Sequence, residues 1–147
     1  MIRIRAAGVE DRLVVQKLLG QLGYVLTTEE VHARLSLLAT SDTDPVLLAT
    51  QADEVVGLIA LHFATMLHHR EPVARITASV VRDGIRGAGI GRVLVDAGGN
   101  LARQSGCSIL ELTTAVARTE AHAFYKKLGF TTSSLRFSRL ATETAAS

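Results

Sequence analysis

The chain has 147 residues, the usual length of one globular domain, and 48% of them are hydrophobic against 20% charged. The 16 basic residues nearly balance the 14 acidic ones, for a net charge of +2, so the composition argues against a nucleic-acid-binding chain. A single cysteine, Cys107, excludes an intrachain disulfide and a multi-cysteine metal site, and the five histidines lack metal-binding spacing. We expect one domain over residues 1–147 with a frayed tail at 141–147, no metal and no nucleic acid.

The first half of the chain predicts a strand, two helices and a hairpin. Residues 2–6 alternate at period two and predict a strand, without the apolar run of a signal peptide or a membrane span. Helical spacing of apolar residues over 9–22 predicts a helix that Gly23 ends, and Thr28 is expected to cap a second helix. Residues 46–50 and 55–63 predict a hairpin. We expect no membrane segment and a cytoplasmic location.

The second half of the chain predicts alternating strands and helices. Strands are predicted over 73–82 and 109–114, and helices over 90–104 and 120–128. Residues 130–140 are expected to supply two further short strands. The order of elements indicates a mixed α/β (α+β) fold, with one sheet that carries helices.

The most glycine-dense stretch of the chain lies between the strand at 73–82 and the helix that follows it. A helix start offers unpaired N–H groups and a partial positive charge, and glycines let an anion approach the backbone closely. Arg86 and Arg92 flank this stretch with guanidinium groups that suit phosphate. The stretch therefore predicts a phosphate-binding turn, and a tight turn without a ligand is the alternative.

Two common phosphate motifs do not fit this stretch. A Walker loop needs a Gly-Lys pair, and no lysine occurs between Lys17 and Lys126. A dinucleotide fingerprint needs a third glycine where Arg92 stands, although Glu111 lies 20 residues after Gly91, near where a ribose-binding acid is expected. ATP, GTP and dinucleotides are therefore disfavoured as ligands.

Two motifs together resemble the GNAT superfamily of N-acetyltransferases. The first is Arg86-x-x-Gly89-x-Gly91, which follows an apolar strand end and precedes an apolar helix. The second is the segment AHAFYKKLGF at residues 121–130, which is similar to a later motif of that family. The two motifs occur in the family's order, and the resemblance covers residues 1–140.

The resemblance implies a twisted, mostly antiparallel sheet of about six to seven strands with about four helices, splayed after the fourth strand. It implies acetyl-CoA as co-substrate, with its pantetheine arm against the fourth strand and its pyrophosphate at the helix start. The residues expected to bind it are Val81, Arg82, Arg86, Gly87, Ala88, Gly89, Ile90, Gly91, Arg92 and Arg118. Many members carry an asparagine at the position of Arg118. This residue therefore departs from the family's pattern.

The resemblance also implies a reaction, in which a neutral amine attacks the thioester directly. The main-chain N–H near Val81 is expected to stabilise charge on the carbonyl oxygen, and the Tyr125 hydroxyl to protonate the departing thiolate. Packing in the core is the alternative role of Tyr125. The candidate bases stay open, and Cys107 is expected to be an inert thiol. The bases considered are His68, His69, Glu71 and Glu111.

The resemblance carried by these residues implies an acetyl-CoA-dependent N-acetyltransferase that acts on a primary amine of a small molecule or peptide. A catalytically silent acyl-CoA-binding regulator or sensor is the first alternative, and a purely structural or interaction domain is the second. A homodimer is expected from the habit of the family. The sequence does not select one acceptor amine.

Overall fold

The computed structural model describes residues 1–85 and 87–142, so that Arg86 and the end of the predicted frayed tail lie outside the described residues. The strands are β1 (Ile2–Ala6), β2 (Val46–Gln51), β3 (Glu54–Ala64), β4 (Val73–Val81) and β5 (Ile109–Leu112). The helices are α1 (Arg12–Gln21), preceded by a 3-10 turn at Val9–Asp11, then α2 (Thr28–Ala39), α3 (Ile90–Gln104) and α4 (Thr119–Lys127). The chain divides into two compact units, Met1–Leu112 and Thr113–Ser147.

The first unit contains one sheet whose strands lie in the order β1-β2-β3-β4-β5. The first four strands pair antiparallel with their neighbours, and β5 pairs parallel with β4. A parallel pair needs a long crossover, and α3 supplies it. The prediction of a mixed, mostly antiparallel sheet with four helices is therefore confirmed.

The predicted number of strands is wrong. Six to seven strands were expected, whereas residues 1–85 and 87–142 contain five. Residues 131–142 are all exposed and contain no strand, and the apolar side chains of Leu135 and Phe137 are 83% and 89% exposed. Period-two spacing gives a strand only where a neighbouring backbone completes the ladder, and no described strand pairs with this segment.

Helices cover both faces of the sheet in the first unit. One buried cluster joins α1 and α2 to the sheet, and its members are Val15, Leu18, Val31, Leu35, Leu48, Leu58 and Val80. On β3, the residues next to Leu58 are Gly57 and Ile59. A Cβ at Gly57 would lie 2.8 Å from Leu94 of α3, and a Cβ at Gly98 of α3 would lie 3.2 Å from the Ile59 side chain. Since neighbouring residues of a strand face opposite sides, α3 lies on the face opposite α1 and α2.

The N-terminus of α2 is capped one residue earlier than the sequence indicated. The Thr27 hydroxyl accepts from the Glu30 N–H at 3.1 Å, and the Glu30 carboxylate accepts from the Thr27 N–H at 3.0 Å. Thr28 is instead the first helical residue, and its hydroxyl donates to Gln16 Oε1 at 2.8 Å. The reciprocal pair is a capping box, whose position depends on the acid three residues after the cap.

The buried carboxylate of Asp11 leads to a prediction about stability. Arg5 donates to both of its oxygens, at 2.9 and 2.8 Å, and the Gly8 N–H donates at 2.9 Å. The Asp11 side chain is 8% exposed and that of Arg5 is 44% exposed, so solvent screens part of the charge interaction. We expect Asp11→Asn to lower the free energy of unfolding by about 2 kcal/mol at neutral pH, measured by urea denaturation.

The same pair gives this prediction a pH signature. The hydrogen bond from Arg5 lowers the pKa of Asp11, against the opposing effect of burial. The stabilisation is therefore complete above the unfolded pKa of about 3.9 and is lost as pH falls through the lower folded pKa. The difference in free energy of unfolding between wild type and Asp11→Asn should therefore disappear in that acid range. Asp42→Asn, at an exposed loop residue, is the control. If the difference in free energy of unfolding between wild type and Asp11→Asn does not change in acid, the Arg5–Asp11 pair is not its cause.

No helix of the described chain has the length and apolar character needed to cross a membrane.

Candidate functional site

Strand β4 has a partner along its whole length on one side and along only half its length on the other. β3 pairs with it from Val73 to Val81, whereas β5 pairs with it only from Val73 to Ile76. Among the described residues, no strand pairs with the β5 side of residues 77–81. The sheet is therefore open after its fourth strand, and this open edge presents backbone N–H and C=O groups to a ligand in extended conformation.

The open edge begins at a β-bulge. Ala60 pairs with Ala78 and Leu61 pairs with Ile76, which makes Thr77 an extra residue on β4. The Thr77 hydroxyl donates to the Ala60 carbonyl oxygen at 3.2 Å and ties the bulge to β3. Bulges end regular pairing and are common next to active sites. The pairing of β4 with β5 stops at the residue before this bulge.

The backbone of Val81 faces the open edge. The Arg82 N–H donates to the Val56 carbonyl on β3 at 2.8 Å. In an antiparallel pair successive residues point their N–H and C=O groups to opposite sides, so both groups of Val81 point away from β3. The Val81 carbonyl oxygen accepts instead from the Gln21 side chain at 3.0 Å. The last residue of β4 thus offers one donor and one acceptor beside the opening.

A glycine turn links this edge to α3. Gly87 and Gly89 have φ angles of +88° and +81°, in the left-handed region that favours glycine, and Gly89 is the N-cap of α3. Apart from its own chain neighbours, a Cβ at either position would meet no heavy atom within 4 Å. Backbone conformation therefore requires these glycines, and the space around them is open to a ligand.

The start of α3 has the character of an anion site. The first N–H groups of a helix have no partner within the helix, and here no side chain of the N-cap supplies one. No acidic residue lies in the first turn. Arg92 lies in that turn with a side chain that is 64% exposed, and its Nε is 4.0 Å from the Asp96 carboxylate. Helix dipole and guanidinium together favour a phosphate group.

In the second unit, Tyr125 lies on α4 in an aromatic cluster. Its ring is half-buried and packs edge-to-face against Phe124 and Phe130, with centroids 5.1 and 5.6 Å apart. Such contacts fix the ring, and they also agree with the packing role that the sequence left open. Removal of the hydroxyl alone would separate the two roles.

The N-terminus of α4 orders the loop before it. Arg118 is the exposed N-cap residue, and its carbonyl accepts from the His122 N–H at 3.2 Å. The His122 ring places Nε2 2.9 Å from the Ala115 carbonyl oxygen. The backbone at Arg118 is therefore held at a helix start.

Most of the predicted binding residues lie in one continuous segment of the first unit. That segment runs from the end of β4 into α3, and its members are Val81, Arg82, Gly87, Ala88, Gly89, Ile90, Gly91 and Arg92. Arg86 belongs to the same segment and lies outside the described residues. Tyr125 and Arg118 belong to the second unit.

The candidate bases are surface residues. His68, His69 and Glu71 are exposed in the loop before β4, and the two imidazole rings lie 4.5 Å apart. Glu111 lies on β5, where its Oε1 accepts from Arg75 Nε at 3.1 Å and from Nη2 at 2.7 Å. No group of three or more potential metal ligands occurs within the described ranges. Glu111 is thus engaged by Arg75, and the base stays open.

Cys107 is disfavoured as a nucleophile. Cys107 is half-buried, and burial raises the pKa of its thiol, which disfavours the reactive thiolate.

Gln21, the last residue of α1, contacts the open edge of β4 and is a functional candidate that the sequence pattern does not indicate. Its contact spans 60 residues along the chain, and no local pattern signals it.

Comparison with known proteins agrees with this geometry. Residues 14–130 match the model of the acetyltransferase (GNAT) family. The chain is 39% identical over 92 residues to an aminoalkylphosphonate N-acetyltransferase from Salmonella typhimurium, a match that covers 63% of this chain and 60% of the relative.

Solved structures share the fold. A transcriptional regulator from Bacillus halodurans has a TM-score of 0.85 at 26% identity, over 95% of this chain and 99% of that chain. An aminoglycoside N-acetyltransferase in complex with CoA has a TM-score of 0.84 over 96% and 95% of the two chains, and at 18% identity it supports the fold alone. With the family match over residues 14–130, the open edge of β4 and the glycine turn before α3 identify the chain as a member of the acetyltransferase (GNAT) family.

Proposed function

We propose that this protein is an acetyl-CoA-dependent N-acetyltransferase that moves an acetyl group to a primary amine. The observation that carries the proposal is the continuity between the open edge of β4 and the anion site of α3. One extended ligand with amides at one end and phosphates at the other fits this order of groups.

The residues fit acetyl-CoA in chemical type. Amides of the pantetheine arm suit the edge C=O of Val81, and the pyrophosphate suits the N–H groups of residues 87–91 together with Arg92. Arg82 stays a predicted contact through its side chain, because its N–H is bonded to β3 and its carbonyl accepts from Ile85 at 3.4 Å. Arg86 and Arg118 stay predicted contacts on the resemblance alone.

Different groups of the chain serve different steps of the proposed reaction. Acetyl-CoA supplies the acetyl group as a thioester, which a neutral amine attacks. The Val81 N–H, directed to the open edge, donates to the thioester oxygen as negative charge develops there. The Tyr125 hydroxyl gives its proton to the departing sulfur. The proton that the amine loses goes to a base or to water.

The acceptor is proposed to be the primary amine of a small molecule, with peptide amines as the second class. The Salmonella relative acts on aminoalkylphosphonates, so these compounds lead the panel of amines to be tested. The chain matches 60% of that relative's length, and its acceptor is therefore transferred only as a first candidate.

The non-enzymatic alternative is an acyl-CoA-binding regulator without turnover. The Bacillus halodurans structure described as a transcriptional regulator supports keeping it. Release of CoA with any amine of the panel would exclude this alternative. We further propose that the whole chain acts as one N-acyltransferase domain, since the family match extends across residues 112 and 113. A homodimer and a cytoplasmic location stay predictions.

Thermal unfolding with CoA or acetyl-CoA tests the proposal directly. A ligand at 100 times its dissociation constant stabilises the folded state by about 2.7 kcal/mol. We expect a clear rise in Tm with either compound and none with NADH or ATP, followed by amine-dependent release of CoA. An unchanged Tm, with the protein shown by mass spectrometry to carry no ligand, would refute the function.

A further inference from the structure

The carboxamide of Gln21 makes a two-point contact with the open edge of β4. Its Nε2 donates to the Val81 carbonyl oxygen at 3.0 Å, and its Oε1 accepts from the Asp83 N–H at 3.1 Å. A carbonyl needs a donor and an N–H needs an acceptor, so only one orientation of the amide satisfies both. Gln21 thus contacts the backbone of two residues that are two positions apart.

This contact has the pattern of strand pairing. A residue on a neighbouring parallel strand would bond the C=O of one residue and the N–H of the residue two positions later. The side-chain amide of Gln21 supplies the same pair of groups without a strand. It lies on the side of β4 where, in the described chain, pairing with β5 has already stopped. Gln21 therefore substitutes for one amide of an extended partner.

The packing of α1 holds Gln21 at this place. Val15 and Leu18 of α1 are buried with Leu58 and Val80 of the sheet, which fixes the helix against β3 and β4. Gln21 is the last residue of that helix. Its side chain can leave the edge by rotation about its own bonds, whereas the helix cannot move without breaking the cluster.

We propose that Gln21 occupies the position of an amide of the pantetheine arm in the unliganded protein, and that acyl-CoA displaces it on binding. This inference rests on the proposed function. The Asp83 N–H is a single donor and cannot bond Gln21 and a ligand amide equally well at the same time, although the Val81 carbonyl has two lone pairs. Gln21 therefore lowers the affinity for acyl-CoA and keeps the strand edge paired when no ligand is bound.

Calorimetric titration of CoA into two Gln21 variants tests this inference. Gln21→Met keeps the length and helix preference of the side chain but not its hydrogen bonds, and Gln21→Ala removes the side chain. We expect both variants to bind CoA with a Kd lower by about fivefold or more, because the contact no longer has to be broken. An equal or higher Kd in both variants would overturn the inference.

Gln16→Met is the matched control. Gln16 lies on the same helix and makes a similar two-point contact, with Nε2 2.8 Å from the Leu26 carbonyl oxygen and Oε1 accepting from Thr28 at 2.8 Å. These bonds join α1 to the start of α2 and do not touch β4. We expect this variant to lower the Tm and to leave the Kd for CoA unchanged.

Hydrogen exchange at the Asp83 amide gives a readout that does not depend on turnover. In the wild type, without ligand, Gln21 should slow this exchange, and in Gln21→Met it should be faster. CoA should restore the protection in the variant. Exchange that is equally slow in both unliganded proteins would contradict the proposed contact.

The outcomes separate this inference from the proposed function. CoA binding by the wild type with no gain in the Gln21 variants refutes the role of Gln21 alone. Absence of CoA binding in the wild type and in both variants refutes the proposed function and the inference together. Binding by the variants but not by the wild type supports both.

Discussion

Gly89→Val is expected to remove CoA binding from a protein that still folds. Gly89 is the N-cap of α3 at φ +81°, a conformation that costs a residue with a side chain about 1–2 kcal/mol. The isopropyl group would also enter the open space around this position, where an anion has to approach the helix N–H groups. We expect the Kd for CoA, measured by calorimetry, to rise by about 100-fold or more, because loss of most of a charge-assisted phosphate site costs about 3 kcal/mol.

Gly106→Val separates this effect from backbone strain. Gly106 follows the other end of α3 with φ +87°, and a Cβ there likewise meets no heavy atom within 4 Å. The two variants should therefore lose similar stability in thermal unfolding. Only Gly89→Val should lose CoA affinity, and an equal loss in both would mean that the glycine turn serves the fold of α3 rather than a ligand.

Most of the fold could be predicted because its helices and strands follow clear periodicities. The stripe of α3 and the alternation of β1 are local patterns, and a single element decides them. The strands expected within 130–140 show the limit of this reasoning. Apolar residues at 135 and 137 have strand spacing, but a ladder depends on a backbone elsewhere in the chain, which periodicity does not reveal. The cap of α2 is a different case, because the sequence does carry its signal: Glu30 stands three residues after Thr27, whereas Val31 stands three residues after Thr28.

In the candidate site too, features that lie in one segment could be predicted, and features that depend on distant residues could not. The glycine turn and the end of β4 are contiguous in sequence, so the chain itself indicated where an anion and an extended ligand would bind. The bulge at Thr77 and the contact of Gln21 are not contiguous features. The bulge depends on the register between β3 and β4, and Gln21 reaches Val81 only because a buried cluster positions α1. A binding feature formed by one continuous segment can be predicted from the sequence, whereas one that depends on the packing of distant elements cannot.

Tyr125→Phe is expected to lower kcat about 100-fold while the Kd for CoA stays close to that of the wild type. The substitution keeps the ring and its contacts with Phe124 and Phe130, and it removes the proton donor proposed for the departing sulfur. General acid catalysis contributes about 100-fold or more to a rate. Steady-state kinetics with an amine accepted by the wild type, together with the Tm of both proteins, measures the effect.

The pH dependence distinguishes an acid from a packing residue. An acid must be protonated to act, so wild-type kcat should fall as pH rises through the pKa of the donor, and Tyr125→Phe should lose that alkaline decline. Tyr24→Phe is the matched control, since it alters the only other tyrosine, which is 56% exposed between α1 and α2. If Tyr125→Phe keeps full turnover and the same alkaline decline, the phenol serves packing alone, and the sulfur must receive its proton from water or from the attacking amine.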